Sequence, residues 1–467
     1  MRKNIAARHI GNLLFRNLFS GVRHTGKTPL VIAGLFALLS ITYFSCGKKT
    51  NWWEGGGHGG HGGSSGDPSM LLVWNDAATQ AVTRMGTGPD GALPPMPESR
   101  IYAMVNLAMH DALNGVKPQF RTYALSGATD KNASPDAAVA KAAHDVLVTL
   151  LPPMGGYADS LYAVTIAMVP DGPAKTKGVS KGAAAAAAML AKRALDGADV
   201  AQIPYVSGTF PGQYRPTPPF DGPPFNGFVA VPAWGKIRPF ALAKDAQFRP
   251  GAPYPVNSKE YTADYNESKN LGAAVGSGRT PDQTQIGLFW LENSPLGWNR
   301  IARDLIIGRQ LDAWDAARLL GLLHMALADA NISSFDAKFY YNYWRPITAA
   351  RLGNSDGNAA TTGDPGWDVL APPTPPIPDY PSNHAVNGGA AAQILTDFFG
   401  KDNIHFAATS SSLPNVTRNY NSFSQAARDN SLSRIYAGYH FRNAVMTGEA
   451  MGKKVGDWAF DHTLRPQ

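Results

Sequence analysis

The sequence predicts an all-α protein of two helical bundles joined by a long Pro-rich connection. Three observations carry this. Apolar residues recur at helical spacing in both halves, alternation of the kind strands show is nearly absent, and the texture breaks only between about 204 and 257. The chain has 467 residues and 44% hydrophobic content, enough for one large core or two moderate ones.

The organisation follows in chain order. The formal charge is +7, from 42 basic and 35 acidic residues. Arg2, Lys3, Arg8, Arg16, Arg23 and Lys27 all lie before the first acidic residue. Without these six the balance is 36 against 35, about +1, so nothing in the body of the chain argues for a nucleic-acid partner. The basic stretch precedes an apolar run, Leu30 to Phe44, which is shorter than the roughly 20 residues a spanning helix needs. Residues 1–45 therefore read as an export signal of lipoprotein type. Cys46, the single cysteine, stands where such a signal places the lipidated residue. The expected location is extracytoplasmic, periplasmic or cell-surface, with membrane contact only through a lipid on Cys46. A plain secretory signal, and so a secreted protein, is the alternative. Residues 46–69 are rich in Gly and Ser and read as a tether, in which His58 and His61 are weak candidates for a metal.

The N-terminal bundle is expected over 70–203. Ile101, Met104, Val105, Ala108 and Ala112 form one apolar stripe there. Residues 204–257 hold the runs PTPPFDGPPFNGF and VPAWGKIRPF, which forbid regular helix and suggest an ordered path over the surface. The C-terminal bundle is expected over 258–467. Thr280-Pro281-Asp282-Gln283 has the make-up of a helix start with a capping box. A further helix is expected from about 311 to 344. A monomer and a homo-oligomer both stay open.

Three stretches of this second half concentrate cations and histidines. In KFYYNYWRP, Lys338 and Arg345 are seven residues apart. That is a rotation of about 700°, which places both on one face of a continuous helix. A solvent-facing pair is the competing reading. In PDYPSNH, prolines stop the incoming chain, and Ser382 or Asn383 can cap a helix whose first turn carries His384. Helix N-termini suit phosphate-like anions, although the stretch taken alone favours an ordinary cap with a surface histidine. In SRIYAGYHFR, Arg434 and His440 are six residues apart, which on one helix separates them. A break near Gly438 would bring them to one site.

Lys, six residues, Arg-Pro; then Pro-Ser-Asn-His; then Ser-Arg, five residues, His: together these resemble the signature of the vanadium-dependent haloperoxidase and type 2 phosphatidic acid phosphatase superfamily. The motifs span 338–440, and WNDAATQAVTRMG and SRIYAMVNLAMHDALNGV also look like bacterial haloperoxidase sequence. The resemblance implies the helical bundles of that superfamily, with the site in the C-terminal one. It implies vanadate as cofactor, or phosphate in the phosphatase alternative. Lys338, Arg345, Arg434, Ser382 and the backbone N–H of Asn383 would hold the oxygens. His440 would bond vanadium or, in a phosphatase, attack phosphorus, while His384 would serve as acid–base. In a haloperoxidase Lys338 would polarise bound peroxide. Hydrogen peroxide, halide and a small organic acceptor would be the partners, with Phe339, Trp344 and Ile377 as candidates for shaping halide choice. A non-catalytic oxyanion-binding lipoprotein is the second alternative.

Two positions depart from the signature. Asn383 replaces Gly, tolerable if that residue needs positive φ but adding bulk at the ligand. Phosphatase-type members carry an Asp four residues after the last His, and here that residue is Ala444, so nothing in the motif fixes the tautomer of His440. His110 with Asp111, and His324 with Asp329, read as satisfied buried groups, and His405 and His462 lack a partnered spacing.

Overall fold

A computed structural model of the chain describes residues 66–86 and 93–467. The signal, Cys46, His58 and His61 lie outside the described residues. Thirteen α-helices and one two-stranded sheet appear among the described residues. The first group is α1 (Ser69–Met85), α2 (Pro95–Val116), α3 (Pro135–Leu150), α4 (Gly155–Ala167) and α5 (Pro173–Arg193). After the Pro-rich segment come α6 (Lys259–Gly272), α7 (Pro281–Phe289), α8 (Ser294–Gly308), α9 (Ala313–Tyr341), α10 (Pro346–Leu352), α11 (Asn383–Phe399), α12 (Phe423–Tyr436) and α13 (Arg442–His462). The antiparallel hairpin β1 (Phe406–Thr409) and β2 (Thr417–Tyr420) pairs Phe406 with Tyr420. The Thr280 side chain and Gln283 form the anticipated capping box at α7. Among the described residues no helix is long and apolar enough to cross a membrane.

Helix α9 is the axis of the molecule, buried from Ala313 to Lys338 apart from Asp315 and Arg318. Asp312 caps its start by accepting the N–H groups of Trp314 and Asp315. It packs on α2 from the first group and on α11 from the second. The Pro-rich segment is not a surface strap. Tyr214, Val231, Trp234 and Ile237 are buried, the last three in a cluster with Ile332, Phe335 and Ile377. Two aspartates of α9 fasten this segment. Asp329 accepts the N–H groups of Phe240, Ala241 and Leu242, and Asp336 receives Arg249 at 2.7 and 2.8 Å and Lys236 at 3.2 Å. The backbone donors of Phe240, Ala241 and Leu242, which lie outside any helix, are thus satisfied by a buried carboxylate. Asp111 does the same for Tyr123, Ala124 and Leu125. His110 meets Asp111 and Asn114, as expected, whereas His324 meets Asn299 and not Asp329, and its Nδ1 is buried without a partner among the described residues. His405 is exposed, and His462 stacks on Trp458.

Helices α11 and α13 touch backbone to backbone. A Cβ on Gly452 would lie 2.0 Å from the Val386 carbonyl oxygen, and one on Gly389 would lie 2.3 Å from that of Glu449. Only glycine permits this approach, and it sets where the first turn of α11 sits. Gly452→Ala is therefore expected to destabilise the protein by about 3 kcal/mol through overpacking. Chemical denaturation of both proteins checks this, and an unchanged midpoint would mean that the helices separate without cost.

Candidate functional site

Each motif residue is delivered by a break in helix. Asn342, with φ 51 and ψ 44, ends α9, and Arg345 becomes the extended residue before α10. Lys338 and Arg345 therefore do not share one helical face, as the spacing suggested. They converge because the chain reverses through a left-handed residue, where Asn is among the best tolerated side chains. Backbone bonds from Trp344 to Gly212 and from Asp379 to Tyr343 align this reversal with two other segments. Gly438, with φ +84, breaks the path between α12 and α13 as anticipated. The N–H groups of Tyr439 and His440 both return to the Arg434 carbonyl.

These turns bring together a buried cluster. Lys338 donates to the carbonyls of Pro378 (2.8 Å) and Asp379 (2.9 Å). Arg345 donates from Nε to the Ile377 carbonyl at 2.7 Å and from Nη1 to the Tyr439 carbonyl at 2.9 Å. Its Nη1 also lies 2.8 Å from Nε2 of His440 and 3.3 Å from Nδ1. Arg434 donates from Nη1 to the Trp290 carbonyl at 3.1 Å and stacks 4.6 Å from the Tyr439 ring centre, while its Nε is buried without a partner. One carboxylate answers these charges. Asp379 lies 2.8 Å from His440 Nδ1 and 4.0 Å from Arg345.

Ser382 occupies the cap position of α11, yet its side chain caps nothing and its Oγ is buried without a partner. The first-turn N–H groups thus keep no side-chain acceptor. Its own N–H is held by the Ala444 carbonyl at 2.8 Å, a bond across the α11–α13 contact. Asn383 is helical, not left-handed, so the expected demand for positive φ is absent. Its amide is engaged away from the first turn: Nδ2 donates to Asn331 at 2.8 Å, and Oδ1 accepts from Ser334 at 2.5 Å. The bulk that Asn adds is absorbed by α9.

His384 donates from Nε2 to the Glu292 carbonyl at 3.1 Å, which leaves Nδ1 as the unprotonated nitrogen. It retains partial exposure, unlike Lys338, Arg345, Ser382 and His440, which are at most 3% exposed. The Glu292–Asn293 corner is itself braced. Glu292 takes Arg300 and Ser411, and Asn293 donates to Glu98 at 2.6 Å. Burial pushes Glu98 up to about 7 from 4.5, so its stability contribution is full below pH 4.5 and lost as pH rises through 7. The advantage of wild type over Glu98→Gln should thus shrink by roughly 3 kcal/mol across that window. Melting temperatures from pH 4 to 8 check this, and parallel curves for the two proteins would refute it.

Electrostatically the cluster is short of negative charge. Burial, reinforced by Arg345 and Arg434, holds Lys338 well below its ordinary range. Burial lowers Arg434 to about 10. Both His384 and His440 sit well below the ordinary imidazole range, first from burial and then from the neighbouring cations, so both are neutral near pH 7. Burial raises Asp379 to about 7 against the pull of Arg345 and Lys338. Three buried cations against one carboxylate, with an orphaned hydroxyl and an orphaned guanidinium N–H, demand a small anion rich in oxygen acceptors. Vanadate and phosphate both meet that description, so the residues fit the implied group.

Asp379 is the member that the motif reading missed. Its signal was available, since it is the only acidic residue in the three cation-rich stretches. Glu292 and Trp290 lie far from the motifs in sequence and act through main-chain carbonyls, which leave no compositional trace. Ile377 and Phe339 pack in one cluster, and Trp344 lies in another with Tyr261, Tyr343 and Phe441, so the three candidates for halide choice fall in two separate clusters.

Residues 318–466 match the family model of the VCPO second helical-bundle domain. The chain is 26% identical over 417 residues to a vanadium chloroperoxidase of Curvularia inaequalis, covering 71% of this chain and 66% of that protein's length. Among solved structures it resembles a bacterial vanadium-dependent iodoperoxidase, with a TM-score of 0.71 and 26% identity over 85% of this chain and 97% of the other. A holo-type bacterial vanadium-dependent chloroperoxidase shares the fold, with a TM-score of 0.66 at 16% identity over 86% and 98%.

Proposed function

Because the chain belongs to the vanadium haloperoxidase superfamily, we propose that it is a vanadium-dependent haloperoxidase, using hydrogen peroxide to oxidise a halide to a hypohalous-acid-type halogenating species. The observation that carries this reading is the buried trio Lys338, Arg345 and Arg434, balanced among the described residues by Asp379. Vanadate bound there would supply a Lewis-acidic centre that activates peroxide toward halide. Lys338, Arg345 and Arg434 neutralise the oxyanion, and Ser382 Oγ with the first-turn N–H groups of α11 completes its hydrogen bonding. Nε2 of His440, which here meets Arg345 Nη1 at 2.8 Å, would be the nitrogen that bonds the metal. His384, neutral and unprotonated at Nδ1, takes and returns a proton at the solvent side of the site. The leader and Cys46 place this chemistry outside the cytoplasm in the same proposal, with a small organic molecule as halogen acceptor.

The test is the purified chain incubated with orthovanadate, peroxide and bromide or iodide, with halogenation of a phenolic dye followed by absorbance. Stoichiometric vanadate without halogenation by any halide would reject the reading and leave an oxyanion-binding protein. A phosphatase is the second reading, favoured by the Asp379 carboxylate against His440. Hydrolysis of p-nitrophenyl phosphate by the vanadate-free protein, suppressed by added vanadate, would support it.

A further inference from the structure

We infer that Asp379 is the positioning residue of His440, holding the proton on Nδ1 so that Nε2 is presented to the oxyanion. The inference rests on the anion-site reading above and adds a residue to it. Three observations converge on it.

The first is the identity of the atoms facing each ring nitrogen. Arginine has hydrogen-bond donors and no acceptor. Arg345 Nη1 lies 2.8 Å from Nε2 of His440 and 3.3 Å from Nδ1, so Nε2 is the ring nitrogen whose lone pair it meets more closely. The proton of the neutral imidazole then belongs on Nδ1, and Asp379 Oδ1 is the group 2.8 Å away that can accept it.

Burial supplies the second. Asp379 has no exposure and His440 3%, so the contact is shielded from bulk solvent. The 2.8 Å approach of Asp379 Oδ1 to the ring is not yet well aligned, and the backbone N–H of Phe441 also favours the charged carboxylate. Its backbone is already fixed at both ends of the residue. The N–H donates to the Tyr343 carbonyl at 2.8 Å, and the carbonyl accepts from Lys338 at 2.9 Å. Asp379 therefore ties the Lys338 ammonium and the His440 imidazole to one residue.

The third is the vacated position. Ala444 stands where phosphatase-type members carry their acid, and Ala444 and Asp379 line the same cavity of about 10 Å³. The carboxylate reaches His440 from the segment before α11 instead of from the first turn of α13. A partner that holds the other ring nitrogen fixes both tautomer and ring orientation of a metal-binding histidine.

The experiment compares wild type and the near-isosteric Asp379→Asn by ¹⁵N NMR of the histidine side chains at pH 8, using His440→Gln to assign the signals. Equilibrium vanadate binding is measured on the same full-length samples. Wild type should show His440 protonated on Nδ1. Asp379→Asn should lose that tautomer preference and bind vanadate roughly 10- to 100-fold more weakly, with the melting temperature retained. A wild-type His440 protonated on Nε2 overturns the inference, and that reading does not depend on whether the variant folds. Unchanged His440 signals in a folded Asp379→Asn protein overturn it equally. Wild type with the Nδ1 tautomer but no vanadate binding would instead reject the haloperoxidase reading, while leaving the Asp379–His440 pairing established.

Discussion

His440→Ala should lose vanadium on dialysis, whereas His384→Ala should retain it and lose turnover. The two histidines are both neutral and both near the cation trio, but their free nitrogens have different surroundings. The ring of His440 is clamped between Arg345 and Asp379 in the depth of the cluster, so removing it deletes a ligand that no neighbour replaces. Of the two, His384 is the histidine with solvent access, and its Nε2 is committed to the Glu292 carbonyl. Its loss leaves the cations and Ser382 to hold the oxyanion and removes only proton transfer, a deficit of roughly 10²- to 10⁴-fold in turnover. Metal content by elemental analysis and steady-state dye halogenation give the two readouts. Retained vanadium in His440→Ala with loss in His384→Ala would exchange the roles.

Arg434→Met should act in opposite directions on stability and binding. The guanidinium is 2% exposed, has a carbonyl and a tyrosine ring for company, and among the described residues faces no carboxylate within ion-pair distance. Replacing a buried charge by an apolar side chain of similar length is often neutral or stabilising, by about 1–4 kcal/mol. The anion-free variant should therefore melt at or above the wild-type temperature. Losing one charged donor to a buried anion costs about 2–5 kcal/mol, or roughly 30- to 5,000-fold in affinity for phosphate or vanadate. Thermal melts with and without orthovanadate measure both quantities. A destabilised variant that binds vanadate normally would show Arg434 to be a structural cation and remove it from the site.

The motif spacings were legible because they record which helix ends meet. Lys338 and Arg434 lie one turn before Asn342 and Gly438, where their helices give way, while Arg345 and Ser382 stand beside Pro346 and Pro381 at the starts of α10 and α11. The route between them was misread where a stop came early. Nothing local announced that Asn342 would turn left-handed, so Arg345 was assigned to the helix of Lys338. Asn383 was judged by the glycine it replaces, although its fate depended on Asn331 and Ser334, about fifty residues upstream.

By itself the sequence determined the helical class, the capping box at Thr280 and the set of cations that are candidates for one oxyanion site. Those properties follow from periodicity, backbone stereochemistry and side-chain charge, which each residue carries locally. Tertiary structure alone decided that Asp379 meets His440, that the Glu292 carbonyl orients His384, and that the Pro-rich segment is pinned by Asp329 and Asp336. These are contacts between groups remote in the chain, several of them through main-chain atoms common to every residue type. Their partners are selected by how close helices such as α11 and α13 can pack, a distance that no single residue encodes.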